Sequence, residues 1–419
     1  MEGDTAMKDK NTRETSSSRI TWESLENWVR LKIQGWVQDL LVSEVTELLG
    51  REKSERRKPV DGESGSRNGY GKPRNLTMGS GTITVRRPRV RGLEETFESR
   101  VLPLFKRRSE SVSELLPELY LHGLAHGDFD LALRGLLGEK APLSAGTVAR
   151  LKQKWHVEYE EWKNRPLEEL EVCYLWVDGV YVKAGLEKDK AAVLVAIAGL
   201  SDGTKVVLAL EAGHRESEAA WSSFLRGLKK RGMRAPRLVI GDGHLGIWAA
   251  MRNVFPEAEE QRCWNHRILN VLDRIPKKHQ DDAKPMLTGI PYAECLEDCE
   301  KSKKEFQDWC VENGLHDAAK VLDEDWDRMM SFYRFPKAHW VHLRTSNVVE
   351  SPFAGLRLRT DAAKRFKKVE NATAAIFKLL LIAEKNFRRL NAPELMREVY
   401  LGVRFEDGER KSESKVAAA

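Results

Sequence analysis

VCYLWVDGVYVKA, residues 172–184, decides how the chain is read. Its β-branched and aromatic residues suit a strand, yet Asp178 interrupts them. A carboxylate in an otherwise apolar strand is costly unless something compensates it, and a metal ion is one common answer. KAAVLVAIAGL (190–200) and KVVLALEAG (205–213) follow as two more strands. SEAAWSSFLRGLKKRG (217–232) reads as an amphipathic helix, RLVIGDG (237–243) as a buried strand and LGIWAAMRNVFP (245–256) as a helix. EQRCWNHRILNVLDRI (260–275) starts as a short strand and continues helically. Strands first, then strand–helix alternation, predict an α/β core on a mixed sheet.

Asp242 ends the strand VIGD (239–242), just before Gly243. Strand ends are where ligands gather in α/β sheets, although an aspartate there also serves as a cap or turn-former. Glu350, in TSNVVES (345–351), reads singly as a helix-surface residue. Two aspartates early in a domain and a glutamate on a late helix can nevertheless converge. Carboxylates suit Mg²⁺, a hard ion that prefers oxygen. Two such ions about 4 Å apart stabilise the attacking and leaving oxygens of a phosphoryl transfer.

Outward from this core, residues 1–20 are polar and expected to be a disordered tail. Apolar residues from Trp22 to Leu49 recur at helical spacing, enough for one or two helices, with Gly50 as the stop. Residues 51–92 are rich in glycine and arginine, and GTITVRRPRV (81–90) predicts a short exposed strand. Arg67, Arg74, Arg86, Arg87, Arg89 and Arg91 give this segment a basic face. LLPELYLHGL (115–124), DFDLALRGLLG (128–138) and SAGTVARLKQKWHVEYEEWKN (144–164) are periodic. A helix capped by Ser144 and carrying Thr147, Arg150 and Lys152 has the pattern of a helix-turn-helix, which all-helical domains without nucleic acid also show. Residues 277–332 are helical and charged, unlike the sheet region, and suggest an insertion.

The 419 residues imply two or three domains. With 41% hydrophobic and 32% charged residues, the chain is globular rather than wholly disordered. A net charge of +6 permits nucleic acid without demanding it. Five irregularly spaced cysteines do not suggest a disulfide framework. The N-terminus has no signal-peptide core, and the longest apolar run is too short to span a bilayer as a helix. A reducing, cytoplasmic compartment without membrane partners is expected, with association to the bacterial nucleoid when DNA is bound.

LWVDGVYVK (175–183), VIGDGHLGIWAAM (239–251), FPEAEEQRCWNHRILNVL (255–272), FYRFPKAHWVHLRTSNVVESPFAGLRLRT (332–360) and KLLLIAEKNFRRLN (378–391) resemble, in this order, the mutator-type transposases of bacterial insertion sequences. RNGY (67–70), TITVRRPRVR (82–91) and SAGTVARLKQKW (144–155) extend the resemblance over 66–408. It implies a DDE transposase with a ribonuclease-H-like catalytic domain and an all-helical insertion before the last acid. The family triad falls on Asp178, Asp242 and Glu350, with Mg²⁺ or Mn²⁺ as cofactor. The Cys-x-x-His signature falls on Cys263 and His266 and makes His266 an active-site candidate. Gly179, Gly241, Trp264, Asn265 and the helical stretch before Ser66 depart from the commoner pattern.

The expected organisation is an α/β protein: a mainly helical DNA-binding region over 21–160, a catalytic domain over 161–276 and 333–408, the insertion at 277–332 and a tail at 409–419. Arg86, Arg87, Arg89, Arg91, Thr147, Arg150, Arg357, Arg359, Lys367 and Lys368 are the expected DNA contacts. The run after Glu350 is read as a phosphate-backbone contact, against the plainer reading of a solvated face. His342 and Arg344 are expected to assist nearer the chemistry. The partners implied are double-stranded insertion-sequence ends and target DNA, engaged by a homodimer or higher multimer. A domesticated DNA-binding derivative, a metal nuclease that never joins, and a zinc-stabilised module remain the alternatives.

Overall fold

The computed structural model describes residues 21–56, 65–103, 106–124, 128–138, 145–184, 191–213, 217–243, 245–366 and 368–411. The expected tail at 1–20, the cap Ser144 and Lys367 lie outside them. The chain divides into two compact units: Met1–Tyr120 with Leu124–Val148, and Leu121–Gly123 with Ala149–Ala419.

In the first unit, α1 (Trp22–Leu49) is one unbroken helix that ends at Gly50 in the left-handed conformation, φ 62°. Such a stop favours glycine because it lacks a Cβ. Leu41 of α1 packs with Ile83, Val85 and Leu102 into a small core, with Ile33, Val37, Leu76 and Met78 around it. Four short strands follow α1: β1 (Ser66–Tyr70), β2 (Arg74–Met78), β3 (Gly81–Val85) and β4 (Pro88–Arg91). They pair antiparallel as β1–β4 and β2–β3. The single exposed strand expected over 81–90 is therefore two strands, and β3 is almost wholly buried. Side chains of α1 complete its hydrogen bonding. Gln34 Oε1 accepts from Thr84 N at 3.0 Å, and Gln38 both donates to Arg86 O and accepts from Arg86 N at 2.9 Å. A helix covering a strand edge this way removes a template for unwanted pairing. Helices α2 (Glu110–Leu121) and α3 (Asp128–Leu137) follow, and α4 (Ala145–Lys163) starts here, with its residues from Ala149 onward counted in the second unit.

The second unit is a mixed α/β body. Its sheet comprises β5 (Val172–Val182), β6 (Ala191–Leu200), β7 (Lys205–Gly213), β8 (Leu238–Gly241) and β9 (Glu259–Arg262), in the order β7-β6-β5-β8-β9. β6 runs antiparallel to β5 and β7, whereas β8 is parallel to β5 and to β9. Both parallel joins involve helical connections, α5 (Glu218–Lys230) before β8 and α6 (Leu245–Val254) before β9. Leu175 and Val177 of β5 face a core built with Trp221, Phe224, Leu225, Trp248 and Met251 of these helices. Side chains alternate across a strand, so Tyr174, Trp176 and Asp178 face the opposite side.

α7 (Trp264–Leu272) leaves β9, and the chain then stays helical through α8 (Lys277–Gly289), α9 (Leu296–Glu312), α10 (His316–Asp323) and α11 (Trp326–Met329). It returns through α12 (Trp340–Leu343), α13 (Asn347–Glu350), α14 (Phe353–Ala363), α15 (Val369–Glu384) and α16 (Met396–Leu401). α15 packs on β7. Strands β10 (Phe405–Glu406) and β11 (Glu409–Arg410) form a last hairpin, so pairing continues into the stretch read as a tail from 409. No helix among the described residues is long and apolar enough to cross a membrane.

Candidate active site

The returning chain climbs the face of β5 that carries Tyr174, Trp176 and Asp178. Tyr174 Oη meets His339 Nδ1 at 2.7 Å, and Trp176 Nε1 donates to His342 O at 3.0 Å. Each step of two residues up the strand is matched by a step along the returning segment. Above Trp176 comes Asp178, and above His342 comes α13, which packs against β5 and β6. Glu350 is the last residue of α13.

Asp242 reaches this level from the other side. Trp176 pairs with Ile240 in the parallel β5–β8 ladder. Two residues further along each strand stand Asp178 and Asp242, both half-buried. Asp178 Oδ1 accepts from Gly179 N at 2.7 Å. A Cβ on Gly241 would meet Val177 and Trp248 at ordinary contact distances of 3.4 and 3.6 Å. Gly243 turns the chain away with φ +96°, a conformation that disfavours other residues. A Cβ on Gly243 would also stand 2.2 Å from Arg262 Nε. The turn carrying Asp242 therefore rests on the Arg262 side chain.

Glu350 is tied down locally. Ser346 Oγ hydrogen-bonds Glu350 Oε1, and Glu350 N donates to Ser346 O at 3.1 Å. α13 is in turn joined to the start of α7. Ser346 N donates to Cys263 Sγ at 3.2 Å, Trp264 N to Arg344 O at 2.9 Å, and Asn265 Nδ2 to Asn347 Oδ1 at 3.0 Å. His266 Nδ1 lies 3.7 Å from Glu350 Oε1 and makes no well-formed hydrogen bond, although it is buried. The neighbouring Cys263 raises the His266 pKa to about 9 against the opposing effect of burial, and the charges of Glu350 and Asp242 add to the rise. Imidazole, thiol and two of the carboxylates thus share one electrostatic neighbourhood.

Donor atoms of Cys263, His266 and Glu350 lie within 4.8 Å of one another. Asp178 and Asp242 stand outside that tight group.

Other candidate residues fall in different surroundings. Arg344 is half-buried and stacks over Tyr292 at 4.6 Å and Phe332 at 5.2 Å, with its pKa lowered by burial. His342 is held by its neighbours too: its Nε2 accepts from Asn391 N at 3.2 Å, and burial lowers its pKa. Both support the climbing segment rather than reaching out to a phosphate. Arg359 is only 4% exposed. It follows Phe353 and Leu356 at helical spacing on the inner face of α14, unlike the expected exposed run. Arg357, Lys364, Arg365 and Lys368 are exposed. In the first unit Arg86, Arg89 and Arg91 are exposed and Arg87 half-buried, while Arg67 is occupied with Thr46 Oγ1 and the carbonyls of Arg51 and Glu52. Thr147 lies in the first turn of α4, and Arg150 on the same helix is exposed.

Over residues 5–389 the chain matches the model of the Mutator family of transposases. It belongs to that family. It is 41% identical over 297 residues to the transposase for insertion sequence element IS6120 of Mycolicibacterium smegmatis, covering 71% of this chain and 92% of that one. It is 36% identical over 282 residues to the transposase for element IST2 of Acidithiobacillus ferrooxidans, covering 66% and 94%. With the transposase for element ISRM5 of Rhizobium meliloti the match is 28% over 390 residues, covering 91% and 94%.

In this Mutator transposase chain, sequence reasoning missed the supports of the acids. Ser346 holds Glu350. Arg262 props the Asp242 turn and is itself held by Asp325 Oδ2 at 2.6 Å, from the helical stretch between β9 and α12. The only available signals were a serine four residues before Glu350 and an arginine at the end of a buried strand.

Proposed function

We propose that this chain is a DDE-type DNA transposase. It binds double-stranded insertion-sequence ends and, with divalent metal, hydrolyses a phosphodiester there to release a 3′ hydroxyl, which then attacks a phosphodiester of target DNA and displaces a target 3′ hydroxyl. The observation that carries the reading is the common level of Asp178 and Asp242 on neighbouring parallel strands, with Glu350 delivered to the same face by α13. The strand order and directions support a ribonuclease-H-like catalytic domain, and the helices of 277–332 support its helical insertion.

The donor set fits Mg²⁺ or Mn²⁺. Asp178, Asp242 and Glu350 offer hard carboxylate oxygens, half-exposed to solvent and substrate, at the end of a rigid sheet. A structural zinc site normally needs four protein ligands, whereas the Cys263–His266–Glu350 group has three. We assign Cys263 and His266 to positioning. When bound, the divalent ion supplies Lewis-acid charge to the attacking and leaving oxygens.

Asp178 and Asp242 present fixed oxygens from strand ends. Ser346 and His266 hold the Glu350 carboxylate toward them. Exposed Arg357, Lys364, Arg365 and Lys368 bring a phosphate backbone to an acidic site that would otherwise repel it. The β4 arginines and α4 are assigned to end recognition. The reaction needs no covalent protein intermediate. The protein acts in the cytoplasm, at the nucleoid when bound, as a homodimer or higher multimer on paired ends.

The test is joining of a labelled terminal-repeat duplex to target DNA by the purified full chain with Mg²⁺. Cleavage followed by joining is expected. Cleavage without joining would make the protein a nuclease, and end binding with neither would make it a DNA-binding derivative.

A further inference from the structure

Helix α1 has two apolar faces, and only one of them is used. Ile33, Val37, Leu41, Val45 and Leu49 step by four along the helix and face the small core of the first unit, the last three fully buried. Trp22, Leu25, Val29, Trp36 and Leu40 form a second stripe that adjoins the first at Ile33 and is confined to an arc of about 60° at 3.6 residues per turn. Four of its members are open to solvent: Trp22 at 83%, Trp36 at 74%, Leu40 at 52% and Leu25 at 36% exposed.

We propose that this stripe is a self-association surface, at which α1 pairs antiparallel with α1 of a second copy of the chain. Three observations select a second copy as the occupant. The stripe complements itself when inverted. A two-fold axis near residue 31 sets Trp22 against Leu40 of the partner subunit and Leu25 against Trp36 of the partner subunit. An isologous contact needs this property, in which one patch serves both sides.

The area is also sufficient. Two exposed tryptophans with their leucines offer roughly 500 Å² per protomer, or about 1,000 Å² for the pair, the lower bound of a specific interface. A patch of roughly 500 Å² is at the upper end of what a monomer leaves open, and such patches are often functional.

Finally, the chain's own remaining segments do not match the stripe. Residues 1–20 carry only Met1, Ala6, Met7 and Ile20 as apolar residues, and 57–64 and 412–419 carry no large aromatic side chain. The inference uses neither the metal site nor DNA, so it stands or falls apart from the proposed chemistry.

The test is sedimentation of the metal-free, DNA-free full chain at micromolar concentration. Wild type is expected to be a dimer. Trp22→Ser with Trp36→Glu is expected to be a monomer with an unchanged circular dichroism spectrum. Trp22→Cys with Leu40→Cys is expected to yield a disulfide-linked dimer under mild oxidation, beyond the wild-type background. The cysteine pair keeps the proposal testable if the charged variant fails to fold. A monomeric wild type would overturn it, as would a dimer that survives the double substitution, open-ended polymers, or a cysteine pair that does not cross-link above background.

Discussion

Two groups of charged residues lie near the β8 and β9 strand ends, and they are built differently. In one, Asp178, Asp242 and Glu350 are half-exposed; Gly179 N donates to Asp178, Ser346 Oγ bonds Glu350, and His266 Nδ1 lies 3.7 Å from Glu350. In the other, Glu260, Arg262, Arg267, Asp325 and Arg328 form an ion network. Arg262 Nη1 lies 2.6 Å from Asp325 Oδ2, Arg267 Nη2 lies 3.6 Å from it, and Arg328 bridges Asp325 and Glu260. Arg267 is fully buried and also donates to Glu324 O at 2.6 Å. The network matches acids with arginines, so it fixes the fold. The other cluster gathers carboxylates at half-exposed positions, where substitution is expected to spare the fold and remove the chemistry. Arg262 links the two, since it holds Asp325 with one end and supports Gly243 with its stem.

The largest effect expected from this contrast is on activity. Asp178→Asn, Asp242→Asn and Glu350→Gln should each reduce cleavage and joining by roughly 10⁴-fold, with any one nearly as damaging as all three, because residues acting as a unit are non-additive. Thermal unfolding of the metal-free variants should match or slightly exceed wild type, since carboxylate repulsion is relieved. Near-wild-type turnover by any variant removes that residue from the triad. A large loss of stability would instead place it with the structural ions.

The mirror-image substitution is Asp325→Ala. It leaves Arg262 and buried Arg267 without their shared acid, and stranding one side of a buried pair costs about 3–5 kcal/mol. Denaturant unfolding should show that loss, and the double variant with Arg262→Met should recover part of it. Cleavage should fall as well, because Arg262 no longer has a fixed stem on which the Asp242 turn rests. Unchanged stability in Asp325→Ala would erase the distinction between the two clusters.

The sequence disclosed these clusters unequally. The sheet was legible because β5 to β8 are continuous β-branched and aromatic runs, and Asp178 stood out against that background. The climb of the returning segment was not legible. Tyr174–His339 and Trp176–His342 join residues about 165 positions apart, and no local pattern encodes such contacts. The Arg262–Asp325 pair is hidden for the same reason. In the first unit, β1 to β4 are short, and Gln34 and Gln38 of a distant helix bond Thr84 of β3 and Arg86 just beyond it. Local propensity there is too weak to reveal the hairpins. Arg359 was readable in principle: Phe353 and Leu356 set the inner face of α14, and the next step of three reaches it.

A smaller effect concerns pH. The His266 pKa is raised to about 9 from an ordinary 6.5, chiefly by the Cys263 sulfur and further by Glu350 and Asp242. A group whose folded pKa is raised contributes stability that is fully present below its unfolded value and is lost as pH rises through the folded one. The metal-free protein should therefore lose stability between about pH 6.5 and 9 in proportion to this shift. His266→Gln should flatten that part of the profile. An identical slope in the variant would show that other groups produce it.

The smallest effect separates two basic residues nine positions apart. Lys368 is exposed, whereas Arg359 is buried on the inner face of α14. If the run after Glu350 guides the phosphate backbone, Lys368→Ala should weaken DNA binding similarly for every sequence. It should also reduce the magnitude of the log-affinity against log-salt slope by about one, the signature of one lost phosphate contact. Adding Lys367→Ala should reduce it by about one more on the same grounds. Arg359→Ala should behave oppositely, lowering unfolding stability while the salt slope of the remaining folded protein stays the same. Titrations at several salt concentrations, each beside an unfolding curve, distinguish the cases. If the lysine variants keep the wild-type slope, the exposed charges of this run are a solvated face. If Arg359→Ala alone changes it, the buried arginine reaches DNA only after α14 has moved.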